Sequence, residues 1–147
     1  MKIDMLDEKI INELTENAKI PLRKLAHKLK VSFVTVMNRI KKMEKEGIIE
    51  KYIAKINYEK LGYDVHVCID VRISKGKLLE LEKKIASNPN IYLVYDTTGG
   101  FDATVIGLFR STRVMDAFLK KIQTYDFVER TNTKLILNTI KEEQIKI

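Results

Sequence analysis

Hydrophobic residues in the first third of the chain recur every three or four positions, which is the spacing of an amphipathic helix. Three such stripes follow one another: Leu6, Ile10, Ile11 and Leu14; then Leu22, Leu25, Ala26 and Leu29; then Val36, Ile40 and Met43. Asp4 and Ser32 stand where they can cap the first and third helices. Pro21 suits the first turn of the second helix, and Gly47 suits the end of the third. Three short helices with a tight break before the third predict a helix-turn-helix.

Beyond this region the pattern changes to strict alternation, which is typical of a strand with two different faces. One face carries Val65, Val67, Ile69, Val71 and Ile73, and the other carries His66, Cys68, Asp70 and Arg72. Further strands are predicted over residues 91–97, 101–109 and 128–140, with helices over residues 75–87 and around residues 115–122. The order βαββαβ predicts a ferredoxin-like αβ-sandwich.

The predicted third strand has apolar residues on both faces, Ala103 and Val105 on one and Ile106 and Leu108 on the other. Helices can cover only one face of such a sheet. A bare apolar face usually marks an interface. The sequence therefore predicts a homodimer in which two sheets pair face to face.

The chain is accordingly predicted to be an α+β protein with two domains. Residues 1–57 form a winged helix-turn-helix, whose short two-stranded wing lies within residues 48–56. Residues 58–63 form a linker, and residues 64–147 form the αβ-sandwich.

Charge is unevenly distributed along the 147 residues, whose formal net charge is +7. Residues 1–57 hold 13 Lys and Arg against 8 Asp and Glu, and the remainder holds 14 against 12. This excess favours a polyanionic partner for the first domain, although a solvated lysine-rich surface would give the same count. The single cysteine, the absence of a long apolar run and the polar N-terminus favour a cytoplasmic protein without a membrane partner.

The third helix is the strongest candidate for nucleic-acid recognition, because a helix of this size fits the DNA major groove. Val34 can touch a thymine methyl, and Asn38 matches adenine. Arg39 and Lys42 can reach guanine or phosphate. The predicted DNA-binding residues are Lys24, Lys28, Ser32, Val34, Thr35, Asn38, Arg39 and Lys42. The alternative is a three-helix bundle whose charges serve only solubility.

These features together resemble the leucine-responsive/asparagine-operon regulator family, Lrp/AsnC, of bacterial and archaeal transcription factors, and an archaeal member is expected. The resemblance is carried by residues 3–11, 25–32, 36–49, 61–62, 98–102, 131–133 and 135–141, and by Tyr52. It implies a winged helix-turn-helix joined to a ligand-binding domain, dimers that build octamers, and amino-acid effectors bound between dimers.

The effector loop of the family maps to Gly99, Gly100, Phe101 and Asp102. Glycines expose backbone N–H groups to a carboxylate, and Asp102 can hold an ammonium group. The alternative is a plain hairpin turn that Asp102 fixes. Two positions depart from the family. Lys30 replaces a glycine between the second and third helices, where a left-handed lysine costs about 1 kcal/mol, so the turn is expected to differ. Phe101 replaces a tyrosine.

The leading hypothesis is a sequence-specific transcriptional regulator with double-stranded DNA, a second copy of itself, a free amino acid and the basal transcription machinery as partners. A DNA-wrapping protein with little base preference is the second hypothesis. The third is a tetrapyrrole-acting enzyme of related fold using His27 or His66, and a ligand sensor without DNA binding is the fourth. No catalytic residue, metal site or cofactor is predicted.

Overall fold

A computed structural model describes residues 2–147, which divide into two compact units. The first unit extends to Lys55 and also contains Lys141–Ile147, and the second is Ile56–Ile140. The αβ-sandwich predicted over residues 64–147 includes this final segment. In the first unit, Lys146 Nζ lies 2.6 Å from Glu16 Oε1. No described helix is both long and apolar enough to cross a membrane.

Three helices form the first unit: α1 is Met5–Glu16, α2 is Leu22–Leu29 and α3 is Phe33–Lys45. Asp4 caps α1 by accepting hydrogen bonds from the backbone N–H groups of Leu6 and Asp7. The predicted stripes face inward and form one core, made of Ile10, Leu25, Ala26, Val36, Ile40 and Met43. The helix-turn-helix predicted from their spacing is confirmed.

Lys30 ends α2 in the left-handed conformation, with φ 55° and ψ 41°. The N–H of the next residue, Val31, donates to the Ala26 carbonyl at 3.0 Å. The turn therefore keeps the geometry that glycine normally supplies, and the lysine carries the steric cost.

The predicted two-stranded wing over residues 48–56 does not form in the single chain. Among the described residues, no strand lies between the end of α3 and Val65. The segment is rich in strand-forming residues, but after Gly47 it contains no glycine, proline or asparagine before Asn57. A tight hairpin needs such a residue at its turn. The segment therefore forms no strand pair in the single chain.

The second unit follows the predicted βαββαβ order. Its strands are β1 (Val65–Ile73), β2 (Ile91–Asp96), β3 (Ala103–Phe109) and β4 (Val128–Leu135). Helix α4 (Leu78–Leu81) continues as a π-helical turn over Glu82–Ala86, and α5 is Thr112–Gln123. The antiparallel sheet has the order β2-β3-β1-β4. Strand β4 ends before the predicted residue 140, because its partner β1 begins at Val65.

The two faces of the sheet have different environments. The face of β1 that carries Val67, Ile69 and Val71 is fully buried, in one core with Leu81 and Ile85 of the helical layer. The opposite face is only half-buried. It carries Cys68 on β1, Ile106 and Leu108 on β3, and Leu93 and Tyr95 on β2. The two faces predicted for β1 and β3 are thus confirmed, and one of them is covered by helices.

Substitution of Lys30 by glycine is expected to stabilise the first unit. Glycine removes the steric cost of the left-handed conformation, although it also gives the unfolded chain more freedom. We therefore expect a net gain of about 0.5–1 kcal/mol in the free energy of unfolding, measured by denaturant titration. Lys24→Gly, within α2, is the matched control and should lose about 1 kcal/mol. A loss for Lys30→Gly would contradict the turn geometry.

Candidate nucleic-acid interface and effector loop

Helix α3 buries one stripe and presents the opposite side to solvent. Val36 and Met43 are fully buried, whereas Asn38 and Lys42 are exposed. Within residues 2–147 neither of these two polar side chains has a hydrogen-bond or ion-pair partner. Val34, in the first turn, is 55% exposed although it is apolar. This side of α3 therefore offers a methyl-bearing side chain, an amide and an ammonium group that are all available for a ligand.

The hydroxyl groups at the start of α3 serve the helix itself. Ser32 Oγ accepts the backbone N–H of Thr35 at 3.0 Å. The two side-chain oxygens, Ser32 Oγ and Thr35 Oγ1, are 2.8 Å apart and hydrogen-bonded. Capping of this kind satisfies a free N–H group of the first turn. Ser32 and Thr35 thus fix where α3 begins.

The two candidate lysines of α2 differ in their surroundings. Lys28 Nζ lies 2.6 Å from Glu13 Oε2 of α1, so its charge is already paired. Lys24 is exposed and has no such partner in the part of the chain described. Nearby, the Arg23 guanidinium stands 6.0 Å from the centre of the Phe33 ring. This contact could not be predicted from the sequence, because a separation of ten residues across a turn carries no periodic signal.

Arg39 turns toward α1. Its Nη1 atom is 2.6 Å from Asp4 Oδ2 and 3.1 Å from Asp7 Oδ2. The hydrogen bond to Asp4 raises the pKa of the Arg39 guanidinium. In return, the Asp7 backbone N–H and then Arg39 lower the pKa of the Asp4 carboxyl. Of the predicted DNA-binding residues, Arg39 is the one that the structure places between two carboxylates.

The chain that leaves α3 is fastened to it by a tyrosine. Tyr52 donates its hydroxyl hydrogen to Glu44 Oε1 at 2.9 Å. Partial burial, and then this hydrogen bond, raise the pKa of Tyr52 to about 12. Tyr52 therefore holds the segment that follows α3 beside this helix.

The predicted effector loop lies between β2 and β3. Asp102 Oδ2 accepts the Ile73 N–H at 2.8 Å, and the Asp102 N–H donates to the Val71 carbonyl at 3.0 Å. Asp102 therefore fixes the loop to β1. Gly99 has φ 113°, a conformation that a side chain would strain, and nothing within 4 Å would meet a Cβ atom at Gly100.

Next to this loop is a shallow pocket of about 230 Å³, lined by Ile73, Ser74, Lys75, Gly76, Leu78, Asp96 and Asp102. On β4, the Arg130 guanidinium lies 5.5 Å from the centre of the Phe101 ring. This contact uses the face of the ring and requires no hydroxyl group.

The histidines give no sign of a reaction centre. His27 is exposed on α2, and His66 Nε2 is 2.7 Å from the Tyr92 hydroxyl oxygen. Among residues 2–147, no three or more His, Cys, Asp or Glu side chains cluster so that they could hold a metal ion.

Comparison with known proteins accounts for both units. Residues 3–50 match the family model for a winged helix-turn-helix DNA-binding domain, and residues 66–145 match the Lrp/AsnC ligand binding domain. An HTH-type transcriptional regulator of Pyrococcus furiosus, itself uncharacterised, is 42% identical over 143 residues, which cover 97% of each chain. The chain belongs to the Lrp/AsnC family.

Two solved structures have the same fold. AsnC of E. coli is 30% identical and superposes with a TM-score of 0.92, covering 100% of both chains. A transcriptional regulator of Neisseria meningitidis, solved in complex with L-Met, is 22% identical with a TM-score of 0.92, covering 97% of this chain and 94% of that one. The predicted α+β architecture is confirmed.

Membership of the Lrp/AsnC family also separates the regulator hypothesis from the enzyme hypothesis. Its members are transcriptional regulators with a DNA-binding helix-turn-helix and a ligand-binding domain. The protein is therefore a DNA-binding transcriptional regulator. The prediction of a regulator instead of a tetrapyrrole-acting enzyme is confirmed.

Proposed function

We propose that this regulator binds its operator in the cytoplasm as a homodimer whose two α3 helices read successive major grooves. The observation that carries the proposal is the division of α3 into a buried apolar stripe and an exposed polar side. Asn38 and Lys42 lie on that exposed side and have no partners within the described chain.

Each exposed group on α3 suits a different part of the groove. Val34 provides apolar contact with a thymine methyl, and Asn38 can pair with the two hydrogen-bonding atoms of adenine. Lys42, one turn further along, reaches guanine or phosphate. Ser32 and Thr35 support these contacts by fixing the helix start. Lys24 on α2 is free to bind the DNA backbone, which positions the protein without reading sequence.

Two substitutions separate backbone binding from base reading. Lys24→Ala should reduce the magnitude of the slope of log affinity against log salt by about 0.9, because one phosphate contact is lost. Asn38→Ala should leave that slope unchanged. It should lower the ratio of specific to random DNA affinity by about tenfold, the effect of losing one bidentate base contact. Fluorescence anisotropy with DNA from upstream of its own gene, and with random DNA, measures both quantities.

The matched control for these variants is Lys83→Ala, since Lys83 is exposed in the second unit and has no side-chain partner in the described residues. It should leave both quantities unchanged. If the wild-type protein binds the two DNAs equally well at every salt concentration, the chain is instead a DNA-wrapping protein with little base preference.

The second copy is proposed to pack on the half-buried face of the sheet. Apolar groups occupy the centre of that face, namely Ile106, Leu108 and Cys68, next to Leu93 and Tyr95. The helices cover the opposite face, so a partner is the remaining way to remove this apolar surface from water. Further association of dimers would give the octamer that the family resemblance implies.

Leu108→Asp is expected to convert the dimer to a monomer, because a carboxylate at the centre of the interface would be desolvated without a counter-charge. Light scattering after size-exclusion chromatography gives the mass. Leu79→Asp is the control: Leu79 is 57% exposed on the helical side, and its replacement should leave the mass unchanged. A dimeric Leu108→Asp variant with native circular dichroism would contradict sheet-to-sheet pairing.

A free amino acid is the proposed effector, bound at the loop of Gly99, Gly100, Phe101 and Asp102. The Neisseria regulator of the same fold was solved in complex with L-Met. Exposed N–H groups at the two glycines suit a carboxylate, and Lys75 and Asp96 in the adjoining pocket add charges of both signs. At about 230 Å³ the pocket is smaller than a typical ligand site of about 300 Å³ or more, so we propose that another copy of the chain completes it.

An effector at this loop should change DNA affinity by about fivefold or more for at least one of the twenty amino acids. Gly100→Val should abolish that response while DNA affinity without amino acid stays unchanged. Binding titrations against the panel test both statements. If no amino acid changes DNA affinity or assembly size, the effector proposal fails and the DNA-binding role is unaffected.

Binding of the regulator to DNA through α3 can lead either to repression or to activation. Covering a promoter represses, whereas recruitment of the basal transcription machinery activates. We propose the basal machinery as a partner for the second case only. Transcription in vitro from a promoter with the binding site placed over or upstream of the start would distinguish the two.

A further inference from the structure

Arg39 lies on the same helix as the exposed Asn38 and Lys42, but its side chain takes a different direction. The guanidinium Nη1 atom donates to Asp4 Oδ2 at 2.6 Å and to Asp7 Oδ1 and Oδ2 at 3.2 and 3.1 Å. Asp7 is fully buried, and it is the one buried charged residue among those described. Arg39 thus provides the counter-charge for a carboxylate that water does not reach.

The two carboxylates are oriented by α1. Asp4 Oδ1 accepts the backbone N–H groups of Leu6 and Asp7 at 3.0 and 3.1 Å. Asp7 Oδ2 accepts the backbone N–H of Asp4 at 3.2 Å. This reciprocal capping holds both side chains at the first turn of α1. The acceptors for Arg39 are therefore fixed to a helix, and their positions do not depend on a flexible loop.

Other contacts between α1 and α3 are mainly apolar. Ile10 of α1 and Ile40 and Met43 of α3 belong to one core, and burial of this kind is non-directional. A charge-assisted hydrogen bond, in contrast, requires a particular distance and angle. The hydrogen bonds of Arg39 to Asp4 and Asp7 can therefore define the rotation of α3 about its axis, and its position along that axis, relative to α1.

We propose that Arg39 is a positioning residue, which sets α3 on α1 through Asp4 and Asp7 and makes no contact of its own with DNA. A turn of the guanidinium toward phosphate would leave Asp7 buried without a counter-charge, which is strongly unfavourable. The inference rests on the proposed role of α3 in reading DNA, because its effect is on the placement of Asn38 and Lys42.

Asp4→Asn gives the sharpest test. Asparagine caps a helix as well as aspartate does, and the Asp4 side chain is 50% exposed, so α1 should keep its structure. If Arg39 positions α3, the loss of the Asp4 charge weakens binding to DNA from upstream of its own gene. If Arg39 instead binds phosphate, the same change releases the guanidinium, removes a negative charge and strengthens binding.

Arg39→Ala is the second variant. For both variants, the affinity for specific and for random DNA is measured as a function of salt concentration, at a temperature where circular dichroism shows each variant folded. We expect each variant to bind specific DNA about tenfold more weakly, the loss that corresponds to one charged hydrogen bond. Random DNA should be affected less, and the salt slope should stay that of the wild type. The double variant should be little weaker than Arg39→Ala, since the two residues act as one unit.

Glu8→Gln is the control for Asp4→Asn, because it removes another carboxylate from the first turn of α1 and leaves Arg39 in place. A salt slope reduced by about 0.9 in Arg39→Ala would overturn the inference. The inference would also be overturned if Asp4→Asn bound specific DNA as tightly as the wild type does, or more tightly than Glu8→Gln does. Failure of the DNA-binding role itself would look different, because the wild-type protein would then show no preference for specific DNA.

Discussion

The burial of one stripe of α3 is the constraint on which the rest of the first unit depends. Val36, Ile40 and Met43 can leave water only against α1 and α2, so the rotation of α3 is limited from the outset. The same rotation turns Asn38 and Lys42 outward. The side of α3 that is proposed to bind DNA is therefore the side that the core does not use.

In the second unit, burial likewise uses one side of an element, here one face of the sheet. Helices α4 and α5 cover one face, and the other face keeps half-buried apolar side chains such as Ile106 and Leu108. A regulator that reads two successive grooves needs two copies of α3, and a sheet with one uncovered face offers a way to bring them together. The loop that ends at Asp102 belongs to the same sheet, so a ligand there would act on the element that is proposed to pair.

Much of this arrangement could be predicted from the sequence, because hydrophobic spacing reports burial directly. The fold of both units could be predicted from two patterns, the hydrophobic stripes of α1, α2 and α3 and the alternation of β1. The two-stranded form of the wing was predicted from strand-forming residues alone. The structure has no strand within residues 48–56, which contain no turn-forming residue that could reverse the chain after Gly47. At Lys30 the cost of a left-handed lysine predicted a turn that differs from that of the family, whereas the structure keeps the left-handed turn with lysine in place.

Arg39 shows where sequence reasoning ends. Its position on α3 predicted a DNA contact, as it did for Lys42, since both are basic residues on one helix. What separates them is the pair of carboxylates on α1, 35 and 32 residues away along the chain. No local pattern reports a contact of that range. The roles of Lys28, which meets Glu13, and of Tyr52, which meets Glu44, were hidden for the same reason.

Selection of bound sequences from a random DNA pool, followed by footprinting of the enriched duplex, tests the central claim most directly. Two α3 helices presented by a symmetric dimer should enrich a pseudo-palindrome whose half-sites lie about one helical turn apart. The footprint should show protection in two successive major grooves on one side of the duplex. Recovery of sequences without a common motif, or of a single half-site with no symmetry, would contradict the account.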